Sequence, residues 1–176
     1  MKYIFKSGSV QDLGGKGYGL AQLQKEGLTV PEWFAVSPRG FEDSLNGFQK
    51  SAFQNGDAQE ILCALESLLI DSGVRTEIEL ALGELSHNGE RFAVRSSALD
   101  EDSDDCSFAG QLESYLSVPA GAVPETVARV WRSGFSERVL AYRSEHGPSS
   151  QPQKAPAVII QRMINPHAAG LSLIHI

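Results

Sequence analysis

FAVRSSALDEDSDDCSFAGQLESYL, residues Phe92 to Leu116, decides the reading of this chain. A short apolar run delivers an arginine and two serines into a long acidic stretch, and small residues follow. Phe92, Ala93 and Val94 suit a buried strand, so Arg95 is expected at its end, where a guanidinium needs an anion or carboxylate as partner. Beyond the acidic run, Ser107, Ala109 and Gly110 are small enough to let backbone amides approach a ligand, as a phosphate cradle requires. The combination asks for a polyphosphate. The competing reading of Arg95 is a structural ion pair with one of the neighbouring acids.

Working outward, Lys2 to Phe5 reads as a short edge strand, followed by polar residues and then Gly14, Gly15, Lys16 and Gly17. Tyr18 to Glu26 carries Leu20 and Leu23 at helical spacing with Gly27 just past the end, which places Lys16 near a helix N-terminus. A lysine there adds a mobile charge to the orphan amides of the first turn. The motif is not a P-loop, because Lys16 is followed by Gly17 rather than Ser or Thr. By itself Lys16 reads first as a solvated surface lysine.

The remainder is scaffold by pattern. Trp33 to Val36 reads as a buried strand running into a helix that Ser37 caps and Pro38 opens. That helix is expected to break or fray at Asn46, Gly47 and the polar residues Gln49 to Asp57. Asp57 and Glu60 make a capping-box-like start for Ala58 to Asp71, with Ile61, Leu62, Leu65, Leu68 and Leu69 on one face. Helices follow at Arg75 to Leu85, Ala122 to Arg132 and Ser136 to Glu145, and strands at Arg91 to Ser96 and Tyr115 to Val118. Gly147 to Pro156 is a polar, proline-rich connector, and Ala157 to Met163 is a β-branched run expected as an interior strand arriving at a site edge.

The 176 residues can bury a sizeable core, and a net charge of −7 argues against a nucleic-acid or membrane-surface role. Cys63 and Cys106 lack the spacing of a zinc site or disulfide framework. The N-terminus has no apolar h-region and no run reaches the ~18 residues of a membrane span, which reads as cytoplasmic. Five carboxylates between Asp100 and Asp105 invite a magnesium site. A solvated acidic face is the plainer reading, and no metal ligand is assigned.

AVRSSA, the acidic loop and SFAGQ, together with GGKG at Gly14 to Gly17, VPEWFAVS at Val30 to Ser37 and IIQRM at Ile159 to Met163, resemble the nucleotide-binding domain of the phosphoenolpyruvate synthase and pyruvate phosphate dikinase family. Within it the motifs are most similar to phosphoenolpyruvate synthases. The resemblance implies an α+β, ATP-grasp-like nucleotide-binding domain over residues 1–170, comprising the first lobe and the start of a second. Residues 171–176, LSLIHI, depart from the pattern and are read as a truncated or non-native end.

By that resemblance Lys16 and Arg95 are catalytic residues that hold and neutralise the triphosphate of ATP. Amides around Gly110 and the hydroxyl of Ser114 position it, Gln161 lies near the nucleotide, and the backbone around Met163 reads adenine. Magnesium accompanies the ATP, with ligands expected in the missing second lobe. The family enzyme passes a phosphoryl group from ATP to a histidine on one domain and then to pyruvate on another, and this chain holds neither domain, so on its own it is expected to be an inactive fragment. His87, His146, His167 and His175 lack glycine-rich surroundings and are not assigned as the phosphohistidine. A relative acting on an antibiotic or a glucan, and a non-catalytic nucleotide-binding module, are the alternatives.

Overall fold

The computed structural model describes residues 1–85, 89–98, 102–103, 106–107, 113–140 and 154–167. Its frame is an antiparallel five-stranded sheet in the order β1 (Ile4–Phe5), β2 (Trp33–Val36), β7 (Ala157–Arg162), β3 (Arg91–Ser97) and β6 (Ser114–Pro119). β7 lies in the interior as its composition demands: Ala157, Val158, Ile159 and Ile160 are all buried. A two-residue ladder, β4 (Asp102–Ser103) with β5 (Cys106–Ser107), stands apart from the main sheet.

Alternation along the strands sorts the residues onto two faces. Phe34 and Val36 of β2, Val158 and Ile160 of β7, and Phe92 and Val94 of β3 belong to the main core. That face is covered by α2 (Pro38–Ser44), α3 (Gly47–Asn55), α4 (Ala58–Glu66), α5 (Ser72–Leu85) and α6 (Val123–Ser133). Val123, Val127, Val130 and Trp131, one stripe of α6, are fully buried there. Phe41, Phe53, Trp131 and Phe135 form an aromatic cluster, with Phe41 stacked on Phe135 at 5.2 Å between centroids. The opposite face carries Trp33, Ala35 and Ile159, over which α1 (Val10–Lys25) lays Leu13 in a smaller second core. Trp33 closes it by donating its indole N–H to Gln24 Oε1 at 3.1 Å.

Several local expectations are corrected. The first helix begins at Val10 rather than Tyr18, because Ser9 and Asp12 bond to each other across its first turn, Ser9 Oγ to Asp12 Oδ2 at 2.6 Å. It is interrupted by non-helical backbone at Gly14, so the turn read at GGKG is a kink inside α1. The break after α2 falls at Leu45 and Asn46, and the polar residues Gln49 to Asn55 are helical. Gln49 caps α3 reciprocally, accepting from Asn46 N at 2.9 Å while Asn46 Oδ1 accepts from Gln49 N.

Asp57 caps α4 by accepting from Glu60 N at 2.9 Å, but the helix stops at Glu66. Leu68 is therefore buried, whereas Leu69 is 79 % exposed instead of sharing its face. After α6 the chain turns at Gly134 and a helical stretch opens at 137, described to 140. The remainder of the expected Ser136 to Glu145 helix, most of the Gly147 to Pro156 connector and most of the Asp100 to Asp105 run lie outside the described residues.

Candidate functional site

Two of the singled-out motifs, far apart in sequence, are joined at one end of the sheet. Gly14 has φ 67° and ψ 177°, a conformation that essentially only glycine adopts, and a Cβ built on it would stand 1.9 Å from Ser97 O. The loop can therefore lie directly on the end of β3. Gly15 N–H donates to Ala98 O at 2.9 Å and Gly17 N–H to Ser97 Oγ at 3.1 Å. Lys16 Nζ reaches Ser96 O at 3.4 Å. GGKG and the end of RSSA thus form one docked unit. The orphan amides expected at this helix start are in part already satisfied, since those of Gly15 and Gly17 bond to β3 and its extension.

Arg95 lies inside β3, not at its end, and pairs with Ile159 of β7 and Ser114 of β6. By alternation it shares the α1 face with Ser97 and Ala93. Gly17 sits above the same row, the position of a Cβ there being 3.8 Å from Ile159 Cγ1. Lys16, docked at the end of β3, and Arg95, two residues before Ser97, are thereby brought to one face of the sheet. Among the described residues Arg95 makes no ion pair and no side-chain hydrogen bond; most of the acidic run of the competing ion-pair reading lies outside them.

Gln161 is cross-strand from Ala93 and Trp33, and hence on the same face one row further along, and its Nε2 donates to Pro31 O at 3.4 Å. Ser114, exposed, opens β6 beside Arg95. Met163 has just left β7, and its N–H donates to Arg91 O at 2.8 Å, so that amide is occupied by the protein itself. Arg162 anchors the same exit, its N–H on Glu32 O at 2.8 Å and its guanidinium 3.2 Å from Glu32 and 3.8 Å from Glu90. Gly110 lies outside the described residues. The residue that sequence reasoning passed over is Ser97, whose role rests on a contact with Gly14 and Gly17 that no local pattern signals.

Groups with displaced titration lie elsewhere. Asp43 is held below the ordinary carboxylate range by hydrogen bonds from Lys2 Nζ at 2.6 Å and Tyr3 OH at 2.9 Å. Glu125 is lowered by the Arg75 guanidinium, a bond that ties α5 to α6. On the helix side of β6, Arg129 lies over the Tyr115 ring at 4.3 Å beside Glu113, Arg132 and Ser133 in an open hollow distinct from the Lys16 and Arg95 face. Among the described residues no three His, Cys, Asp or Glu side chains come together to hold a metal, and no helix is long and apolar enough to cross a membrane.

Residues 10–173 match the family of the pyruvate phosphate dikinase AMP/ATP-binding domain. The chain belongs to that family. Its relatives include a rifampicin phosphotransferase of Bacillus subtilis, 32% identical over 182 residues, and a phosphoenolpyruvate synthase of Aeropyrum pernix, 33% identical over 181. A prodigiosin synthesizing transferase of Serratia marcescens is 30% identical over 163 residues. Each alignment covers 90% of this chain but only 20%, 22% and 18% of the respective relative, so the chain spans about a fifth of the length of the proteins it matches. The α+β frame is compatible with a nucleotide-binding domain of this family.

Proposed function

We propose that this chain is the ATP-binding part of a phosphoenolpyruvate synthase-like dikinase, which converts ATP, pyruvate and water into phosphoenolpyruvate, AMP and phosphate through a phosphohistidine carrier. The observation that carries the reading is the docking of Gly14–Gly17 onto residues 96–98, which brings Lys16 and Arg95 to one sheet face in a chain of the AMP/ATP-binding family. In this reading Arg95 presents a planar fork and Lys16 a mobile point charge to the phosphates, Ser114 and the backbone near Gly110 add hydrogen bonds, and Gln161 and the chain around Met163 border the base. Phosphoryl transfer needs positioning and charge neutralisation more than covalent chemistry from the protein, and these residue types supply both.

The sheet and its helices would be the first lobe of an ATP-grasp-like site, with magnesium arriving on the nucleotide. The histidine carrier and the acceptor site belong to segments beyond this chain, in a cytoplasmic enzyme. A second reading has a specific observation behind it: rifampicin phosphotransferases of Bacillus subtilis and Bacillus cereus are 32% and 33% identical, as similar as the phosphoenolpyruvate synthase of Aeropyrum pernix at 33%. The acceptor would then be an antibiotic.

The test is calorimetric titration of the full gene product with magnesium ATP, followed by assay with pyruvate and with rifampicin as acceptors. Binding of ATP and AMP formation that depends on pyruvate supports the main reading. Dependence on rifampicin moves the assignment to the second, and a folded protein that binds no ATP overturns both.

A further inference from the structure

Ser97 is 1% exposed, on the α1 face of β3, two positions beyond Arg95. Its hydroxyl accepts the N–H of Gly17 at 3.1 Å, and its carbonyl forms the surface against which Gly14 lies. Gly17 belongs to the first turn after the kink, the part of a helix where amides are short of helical acceptors. Without the hydroxyl, this N–H would lose its bond to β3.

The flanking residues complete the grip. Ala98 O takes Gly15 N–H and Ser96 O takes the Lys16 ammonium, so each residue from Gly14 to Gly17 meets the stretch 96–98. Lys16 lies between the two amides held by Ser97 and Ala98, and its backbone has little freedom to move. Arg95, on the same strand, is set at a fixed separation from that grip.

We propose that Ser97 is a positioning residue: by holding Gly17 N–H, its buried hydroxyl sets the reach of the Lys16 ammonium toward nucleotide phosphates and couples it to Arg95. This rests on the nucleotide-binding reading above. Ser97 touches no ligand in it and acts through Lys16. The side chain of Ser96, which points to the other face, has no such role.

The experiment is a double-mutant cycle in the full gene product, with ATP and AMP affinities measured for wild type, Ser97→Ala, Lys16→Ala and the double variant. Ser97→Ala should weaken ATP binding about tenfold, or about 1.4 kcal/mol, and AMP binding much less. In the Lys16→Ala background the same change should cost little. Ser97→Cys fills the space with a poor acceptor and should reproduce the loss if the alanine variant fails to fold, and Ser97→Thr, which keeps the hydroxyl, should recover affinity relative to alanine. An equal loss from Ser97→Ala in both backgrounds, or equal losses for ATP and AMP, would overturn the coupling while leaving the nucleotide site standing. Wild-type protein that binds no ATP would instead remove the site itself.

Discussion

Replacing Gly14 with alanine should unfold this domain far more readily than its position in a helix suggests. A Cβ at Gly14 would lie 1.9 Å from Ser97 O, 2.5 Å from Ser97 C and 2.4 Å from Ser97 Oγ, against the 3.0 Å below which real Cβ atoms essentially never approach. Two of these atoms are backbone of β3, which at Ser97 is paired with Ala157 of β7 and cannot give way alone. The backbone angles add a conformational penalty of ~1–3 kcal/mol for a non-glycine residue. Accommodating the overlap adds ~1–3 kcal/mol. A total of about 4 kcal/mol is a large share of the ~5–15 kcal/mol that holds a domain together.

With a urea slope of ~2 kcal/mol per molar, the midpoint should fall by about 2 M at unchanged slope, followed by far-ultraviolet circular dichroism. Gly19→Ala is the control, in the same helix with nothing within 4 Å of the new methyl, and should raise the midpoint through a gain of ~0.5–1 kcal/mol. If Gly14→Ala lowers the midpoint by less than ~0.5 M, the docking of the loop onto β3 is not the rigid contact described.

Arg95→Ala should weaken ATP binding by about 10- to 100-fold, the loss of ~1.5–3 kcal/mol of charge-assisted bonding, with an unchanged urea midpoint. Lys16→Ala should cost less, because a flexible ammonium is more replaceable than a guanidinium fork, and a collapse of the fold in either variant would assign it a structural role. Gln49→Ala should destabilise by about 2 kcal/mol, since it removes two hydrogen bonds of ~1 kcal/mol each, the one Gln49 Nε2 donates to the Ala64 carbonyl at 3.1 Å, which keeps Ser67 Oγ as a donor, and the one its Oε1 accepts from Asn46 N in the α3 cap; a midpoint within error of wild type would contradict this. On acidification, Asp43 and Glu125 have lowered native pKa values, so the unfolded state binds more protons, and their contribution is present above about pH 4–5 and lost as pH falls through the native values. Both are well exposed, so the effect is modest, and Asp43→Asn should flatten part of the acid limb in urea midpoints measured from pH 3 to 7.

Much of this architecture was legible because burial leaves a period in the sequence. The α6 stripe Val123, Val127, Val130 and Trp131 and the β-branched run of β7 both went where their spacing directed. Where the reading failed, a non-local contact outweighed the local signal. The polar residues Gln49 to Asn55 look like a frayed end, yet they form a helix because Gln49 finds Asn46 and a carbonyl of α4. Leu69 has the spacing of its neighbours on α4 and is exposed because the helix ends before it. Arg95 looked like a strand terminus because polar residues follow it, but Ser96 and Ser97 continue the ladder opposite Val158 and Ala157.

The sequence by itself determined the types of most elements and the residues able to carry anion chemistry. Those properties are local: side-chain shape, periodicity and backbone permissiveness act over a few residues. Only the tertiary structure decided that β7 inserts between β2 and β3, that Lys16, Arg95 and Gln161 share a face, and that Ser97 holds the glycine turn. Strand order and register come from pairing segments distant in the chain. A shift of one residue would turn Arg95 into the core and Val94 toward the site, so the energy of burying the apolar face chooses what no single segment encodes.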